Sequence, residues 1–374
     1  MLVMPLAAQA GGLHLYEIGT TDLSLAAAGT AARAEDASTI YANPAGLTRL
    51  SGHQVSMGAQ ILYGDAPYTP AAGANPGNVS GLRPSGNLFY SHSVSERLKL
   101  GIGIYGNYGM SLDFGKQWVG RMALGEVELK AASVQPTMAY RLSEQVSFGG
   151  GLVASYGYTK LAHQTAGGAT VEISDGNWAY GARLGVLVEP SKNTRFGLTW
   201  QSKITHHFDM PTNPGGLYAT ALDKGVRPEE VMFSVWHRVN DRWAVMGNLG
   251  WQGWSAFTNT AMANRSPTPL VMQDTWHTAL GVQYQLDART KLNLGVAYDS
   301  SFYQNQDDIS LLLPNGKVWR IGTGVQYALT PKDELGFAIS YLRTQSGRDR
   351  TAGIGGTYDH PQIFFLSVQY SHKF

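Results

Sequence analysis

Large apolar residues recur at every second position along most of this chain, with small or polar residues between them. The final stretch is typical: Leu366, Val368, Tyr370, His372 and Phe374 alternate with Ser367, Gln369, Ser371 and Lys373. A period of two means a strand with one greasy face and one wet face. The pattern predicts strands at residues 53–64, 85–94, 97–112, 127–141, 145–161, 175–189, 194–207, 230–239, 242–257, 274–286, 290–302, 317–329, 334–345 and 360–374. No helical periodicity intervenes that could cover the greasy faces, so the cover expected is lipid. The fold class predicted is an all-β membrane protein, a 14-stranded antiparallel transmembrane β-barrel.

The connections alternate in length. Short polar turns at Ser95-Glu96, Ser143-Glu144, residues 190–193, Asn240-Asp241, residues 287–289 and residues 331–333 separate longer segments such as 65–83, 209–229 and 346–359. In outer-membrane barrels short turns face the periplasm and long loops face outward. Both termini are then expected in the periplasm. Parity assigns the faces: Leu100, Ile102 and Ile104 point outward, and Gly101, Gly103 and Tyr105 inward. Trp243, Trp251, Trp276 and Trp319 fall on the outward parity near strand ends, where interface anchors belong.

Residues before 50 break the pattern. Residues 1–10 end in Ala8-Gln9-Ala10, which has the form of a signal-peptide remnant with its cleavage site. From 11 to 50 the chain is Ala-rich, and Asn43-Pro44-Ala45-Gly46-Leu47 reads as a capped short helix: Asn43 can accept from free amides, and Pro44 suits the first helical position. Fourteen strands ~4.8 Å apart and tilted ~40° enclose a backbone radius of about 14 Å. A segment of this length can obstruct that lumen, so residues 11–50 are expected to form an N-terminal hatch with short helices inside a barrel of residues 51–374. A periplasmic extension is the alternative.

Composition removes other classes. Charged residues make up 15%, against roughly 25% in soluble domains, and no 18-residue apolar run suggests a spanning helix. There is no cysteine, and net charge is +1 with no basic run, so thiolate metal sites and nucleic acid are not expected. No cofactor is expected either. The ten histidines are scattered apart from His206-His207, so an enzyme is not expected.

The segment from Gly12 to Glu17, the stretch ending Glu35-Asp36-Ala37, and the run from Tyr41 to Leu47 resemble the hatch of the FadL-type family of outer-membrane transporters for hydrophobic compounds. Asn107-Tyr108-Gly109 in the third strand and Pro228-Glu229-Glu230-Val231 are similar to that family too. The resemblance implies passive uptake of hydrophobic molecules, most simply long-chain fatty acids. It further implies capture by extracellular loops and sideways release through a gap where the third strand kinks beside the Asn-Pro-Ala motif. The hatch residues implied are Asn43, Pro44 and Ala45; those of the opening are Gly103, Gly106, Asn107, Tyr108 and Gly109. Residues 162–174 are shorter than in long-chain members, so Leu217, Tyr218 and Leu222 are the candidate capture loop.

A fatty carboxylate needs a cationic partner once buried, and a neutral hydrocarbon does not. Parity turns Arg183 and Arg320 into the lumen. They are expected either to hold a substrate carboxylate or to pair with Glu35 or Asp36 of the hatch. Uptake of aromatic hydrocarbons, or a porin or adhesin with no hydrophobic ligand, stays open as an alternative. The expected surroundings are outer-membrane lipid and lipopolysaccharide, with Phe374 as the signal read by the barrel-assembly machinery and a monomer as the working unit.

Overall fold

The computed structural model describes residues 16–210, 224–259, 272–351 and 353–374. Fourteen antiparallel strands close into a barrel in chain order. They are β1 Gln54–Asp65, β2 Leu82–Ser93, β3 Leu98–Asp113, β4 Glu126–Arg141, β5 Val146–Gln164, β6 Thr170–Ser191 and β7 Thr194–Gln201. The second half comprises β8 Glu230–Arg238, β9 Trp243–Gln252, β10 Thr275–Gln285, β11 Thr290–Asp299, β12 Val318–Ala328, β13 Asp333–Thr344 and β14 Gln362–Lys373. β14 meets β1 from Gln54↔Lys373 to Asp65↔Gln362, which leaves no terminal edge unpaired.

The outward set is large and exposed, including Leu100, Ile102, Leu184, Leu280, Ile321 and Leu366. Its rims are aromatic. At the short-turn end Trp243 packs on Tyr284 with ring centres 4.5 Å apart; at the long-loop end Trp251 faces Trp276 across β9 and β10, and Tyr298 packs on Trp319 at 4.9 Å. Such girdles fit the two membrane interfaces.

The alternation overruns some strands. Residues 194–207 read as one strand, but β7 ends at Gln201, and Ile204–His207 pairs with Lys224–Arg227 instead of with the wall. β9 likewise stops at Gln252 and gives way to a 3-10 turn, Trp254–Asn259. Residues 162–174 hold the ends of β5 and β6, which continue as a long hairpin and leave only 165–169 as a turn. Loops 66–81 and 345–361 add a small sheet of Pro67–Pro70, Gly77–Asn78, Gly347–Asp349 and Gly356–Tyr358 at the long-loop end.

Residues 16–50 fill the short-turn half of the lumen. They form α1 Thr20–Ser24, α2 Thr30–Arg33, α3 Thr39–Ala42 and a 3-10 turn, Pro44–Arg49, nearly all buried. These helices are far too short to stand alone. They persist because the barrel wall surrounds them: α1 packs on β11 to β14, α2 on β7 and β8, and the 3-10 turn on β3 to β6.

Candidate functional site

At the third strand the pairing of neighbouring wall strands is interrupted. β2 pairs with β3 only from Ser93↔Lys99 to Asn87↔Tyr105. Beyond that point Leu82–Arg83 and residues 84–86 pair with β1 alone, and Tyr108–Asp113 pairs with β4 alone. The change coincides with a bulge: Tyr105 opposes Ser133 and Tyr108 opposes Ala131, so three steps on β3 match two on β4. Gly109 has φ +154°, and a Cβ there would sit 2.5 Å from the Leu129 carbonyl oxygen. That backbone path requires glycine. Pro84 lies in the unpaired stretch of β2, where a strand tolerates proline. Farther up, Arg83 Nη2 donates to Ser111 Oγ at 2.8 Å and Asp113 N to the Val79 carbonyl at 2.7 Å, which rejoins the two sides. The result is a stretch of wall without a β2–β3 ladder between Asn87–Tyr105 and Arg83–Ser111.

Two compartments meet at this bulge. On the long-loop side Tyr108, Met110, Phe114, Trp118, Trp254 and Phe302 belong to one buried apolar cluster. Leu311, Leu312 and Leu313 drop into it from the β11–β12 loop, pinned by Tyr303 Oη to the Leu313 carbonyl and Tyr358 Oη to the Leu311 carbonyl. On the hatch side Ile40, Tyr41 and Leu47 pack with Phe89 and Tyr105. Tyr105 Oη donates to Gln135, whose amide donates to the Ile40 carbonyl, so the last paired residue of β3 below the bulge is tied to α3.

The expected hatch residues are buried together, but against a different part of the wall. Asn43 Nδ2 donates to the Ala31 carbonyl at 2.6 Å and to the Val186 carbonyl of β6 at 3.0 Å, and its Oδ1 accepts from Ala45 N. A Cβ on Gly185 would collide with Asn43 Oδ1, and one on Gly149 with the Pro44–Ala45 peptide. The Asn-Pro-Ala motif therefore clamps β5 and β6, not the kinked strand; Ile40 and Leu47 are what touch Gly101 and Gly103 of β3. Of the residues expected at the opening, Gly103 lies below it, Gly106 and Asn107 form the bulge, and Tyr108 and Gly109 follow directly.

Arg183 and Arg320 both point inward and are buried, yet each already has a carboxylate. Arg183 Nη2 pairs with Glu230 at 3.1 Å and Nη1 donates to Gln201, with the guanidinium 4.2 Å over the Tyr41 ring. Arg320 grips Glu17 of the hatch through both carboxylate oxygens, at 2.7 and 2.6 Å, and Asp299 at 2.9 Å. The pairing expected with Glu35 or Asp36 is therefore not what the structure has: the partners are Glu230, Glu17 and Asp299. Glu35 is held by Lys291 and Arg33: burial alone would raise its carboxyl, but those two cations bring it down to about 2. Asp36 accepts from Gln369.

Two further buried residues are not singled out by the strand pattern. Arg227 is buried beside Tyr105 and Tyr41, within electrostatic reach of Arg183 and Glu230. His277 bonds to Asp299 at 2.8 Å and stacks on Tyr16 with ring centres 4.2 Å apart. The described charges thus form a layer across the lumen, with Arg183, Arg227 and Glu230 on the β6–β8 side and Arg320, Glu17 and Asp299 on the β11–β12 side. The cationic end is the one that reaches Tyr105. The candidate capture residues Leu217, Tyr218 and Leu222, and residues 1–10, lie outside the described residues.

The family model "Outer membrane protein transport protein (OMPP1/FadL/TodX)" matches residues 1–360. The chain is 25% identical to the long-chain fatty acid transport protein of Escherichia coli K12, over 91% of this chain and 89% of that protein. It is 23% identical to outer membrane protein P1 of Haemophilus influenzae, over 99% and 97%. Among solved structures, a Pseudomonas aeruginosa FadL homologue superposes with TM-score 0.82 at 15% identity, covering 99% of this chain and all (100%) of that one. The P. putida toluene transporter TodX does so with TM-score 0.72 at 15% identity, covering 97% and 99%. A lumen filled by residues 16–50, a buried apolar cluster beyond them and a family-model match over residues 1–360 lead to one statement: the chain belongs to the OMPP1/FadL/TodX family, as a bacterial outer-membrane β-barrel that transports hydrophobic compounds and is not an enzyme.

Proposed function

We propose that this protein takes long-chain fatty acids from the extracellular side into the buried apolar cluster, which serves as a receiving chamber, and releases them sideways into the membrane through an opening between β2 and β3. The observation that carries the route is the end of β2–β3 pairing at Asn87↔Tyr105, beside the bulge in β3. A greasy solute gains by moving from the chamber into lipid, whereas the hatch route is packed with buried side chains and crossed by charge. The short turns face the periplasm in this reading, with Phe374 exposed beside His372 as the terminal aromatic that the assembly machinery reads. One chain completes the barrel, which supports a monomer.

The acid reading of the cargo rests on Arg183 and Arg227, which stand where the chamber meets the opening. A fatty carboxylate arriving there can take the place of the Glu230 carboxylate on Arg183 through a charge-assisted pair. The relatives named as long-chain fatty acid transport proteins support the same cargo. The toluene transporters of the same fold support the second reading, a neutral aromatic cargo.

The test is uptake of oleate and of toluene by proteoliposomes. Deleting Gly106 removes the extra residue of the bulge and lets β3 zip onto β2; uptake of both probes should fall at least tenfold, and unchanged uptake overturns the lateral route. Arg227→Gln should weaken oleate uptake while sparing toluene. Equal effects on both probes overturn the fatty-acid reading.

A further inference from the structure

Between β7 and β8 the chain leaves the wall. After Gln201 it turns into the lumen, where Ile204–His207 pairs with Lys224–Arg227. Ile204, His206, Val226 and Arg227 are buried, so these two paired strands lie inside the barrel.

Three barrel strands hold them. At β6, Ser202 N donates to the Ala182 carbonyl at 2.9 Å, Ala182 N donates to Ser202 Oγ at 3.0 Å, and Asn177 Nδ2 donates to the His207 carbonyl. At β5, the His206 ring lies 3.3 Å from Ser155 Oγ and occupies the space left by Gly157, where a Cβ would be 2.5 Å from Nδ1. At β3, Tyr108 Oη donates to the Val226 carbonyl at 2.8 Å. Two of these anchor points lie on the long, regularly paired β5–β6 hairpin. The third, Tyr108, follows the bulge directly.

We infer that this hairpin is a brace: fixed on β5 and β6, it holds the bulge of β3 inward through Tyr108 and so keeps the β2–β3 opening from closing. The inference rests on the lateral route proposed above. Its physical ground is that neighbouring strand edges with unmade ladder bonds tend to pair. Residues 84–86 of β2 and the bulge of β3 are two such edges in one wall, already joined below at Asn87↔Tyr105 and above at Arg83–Ser111. Joined at both ends, they would zip together unless something offset β3. Gly109 permits the offset path, and the Tyr108–Val226 bond pulls along it. Tyr108 is thus a positioning residue for release: it acts on the opening through the strand that carries it.

The experiment uses the full chain in proteoliposomes with oleate as the probe, together with amide hydrogen exchange. Tyr108→Phe removes only the hydroxyl. The maximal rate of oleate delivery should fall about fivefold, the shift in an open–closed balance that one ordinary hydrogen bond sets. The half-saturating oleate concentration should not move, because capture in the chamber precedes release. Amides of Ser85, Gly86 and residues 106–109 should become more protected, since closing the gap makes new ladder bonds. A merely structural role for Tyr108 would make them less protected. Asn177→Ala loosens the far end of the brace with Tyr108 intact, and should act in the same direction if Tyr108→Phe folds poorly. Wild-type rate and exchange in both variants overturn the brace, as does decreased protection. The Gly106 deletion separates the two ideas. If it leaves uptake intact, the lateral route is wrong whatever Tyr108 does; if it abolishes uptake while both brace variants are silent, only the brace is wrong.

Discussion

Asn43 of the hatch and Val186 of β6 are joined side chain to main chain, with Asn43 Nδ2 3.0 Å from the Val186 carbonyl oxygen. The same amide serves the Ala31 carbonyl, and its oxygen caps Ala45 N, so one fully buried residue locks α2, the 3-10 turn and the wall together. Asn43→Ala leaves three buried polar groups without that partner. At 1–3 kcal/mol for each unsatisfied group and some relaxation, the loss should be about 2–4 kcal/mol. Limited proteolysis in detergent should then cut within residues 16–50 well before the barrel unfolds. A hatch as resistant as wild type would mean that wall packing alone retains it.

Gly185 tests the same contact from the wall side. Its position admits no side chain, because an added Cβ overlaps Asn43 Oδ1, whereas one at Gly81 would meet only Arg83 Nη1 at 3.9 Å. Gly185→Ala should lower the thermal midpoint measurably and Gly81→Ala should not. Equal midpoints would show that the Asn-Pro-Ala turn can shift away from β6 without loss.

Arg320 neutralises two buried carboxylates at once, Glu17 and Asp299. Arg320→Met strands Glu17 and leaves Asp299 with His277 alone, a change that typically costs about 3–5 kcal/mol. Glu17→Gln leaves the Arg320–Asp299 pair in place and should cost much less. Equilibrium unfolding in a denaturant series would measure the difference. Because Arg320 lies at the far end of the charged layer from the bulge, Arg320→Met should reduce oleate and toluene uptake alike. Selective loss of oleate would restore it as a carboxylate site.

The barrel was legible in the sequence because lipid on one side and lumen on the other impose a period of two on every strand. Its failures have physical causes. Residues 194–207 keep alternating through Ser202-Lys203, where the chain turns inward, since a bend of that kind leaves parity undisturbed. The run from Ile309 to Leu313 does not alternate because it is buried on all sides, so nothing in the strand pattern flagged it as a chamber wall. Parity also says which way Arg183 and Arg320 point and not what they meet. Their partners lie 47 and 303 residues away and are set by barrel closure and by the fold of the hatch.

His206 makes the inward hairpin sensitive to acid. Burial, reinforced by the nearby Arg227 charge, holds its imidazole down to about 4 against about 6.5 in an unfolded chain. Above pH 6.5 the ring is neutral in both states and its contribution to stability is complete. As pH falls from about 6.5 toward 4, the opened hairpin takes up a proton that the closed one refuses, so closure weakens. Amide exchange in residues 204–207 and 224–227, corrected for intrinsic rates, should therefore show less protection at pH 5 than at pH 7.5. His206→Gln keeps a polar side chain facing Ser155 and Asn177 but cannot titrate, and its protection should be flat across that range. If wild type and His206→Gln lose protection in parallel, another group drives the acid response and His206 only fills the space beside Gly157.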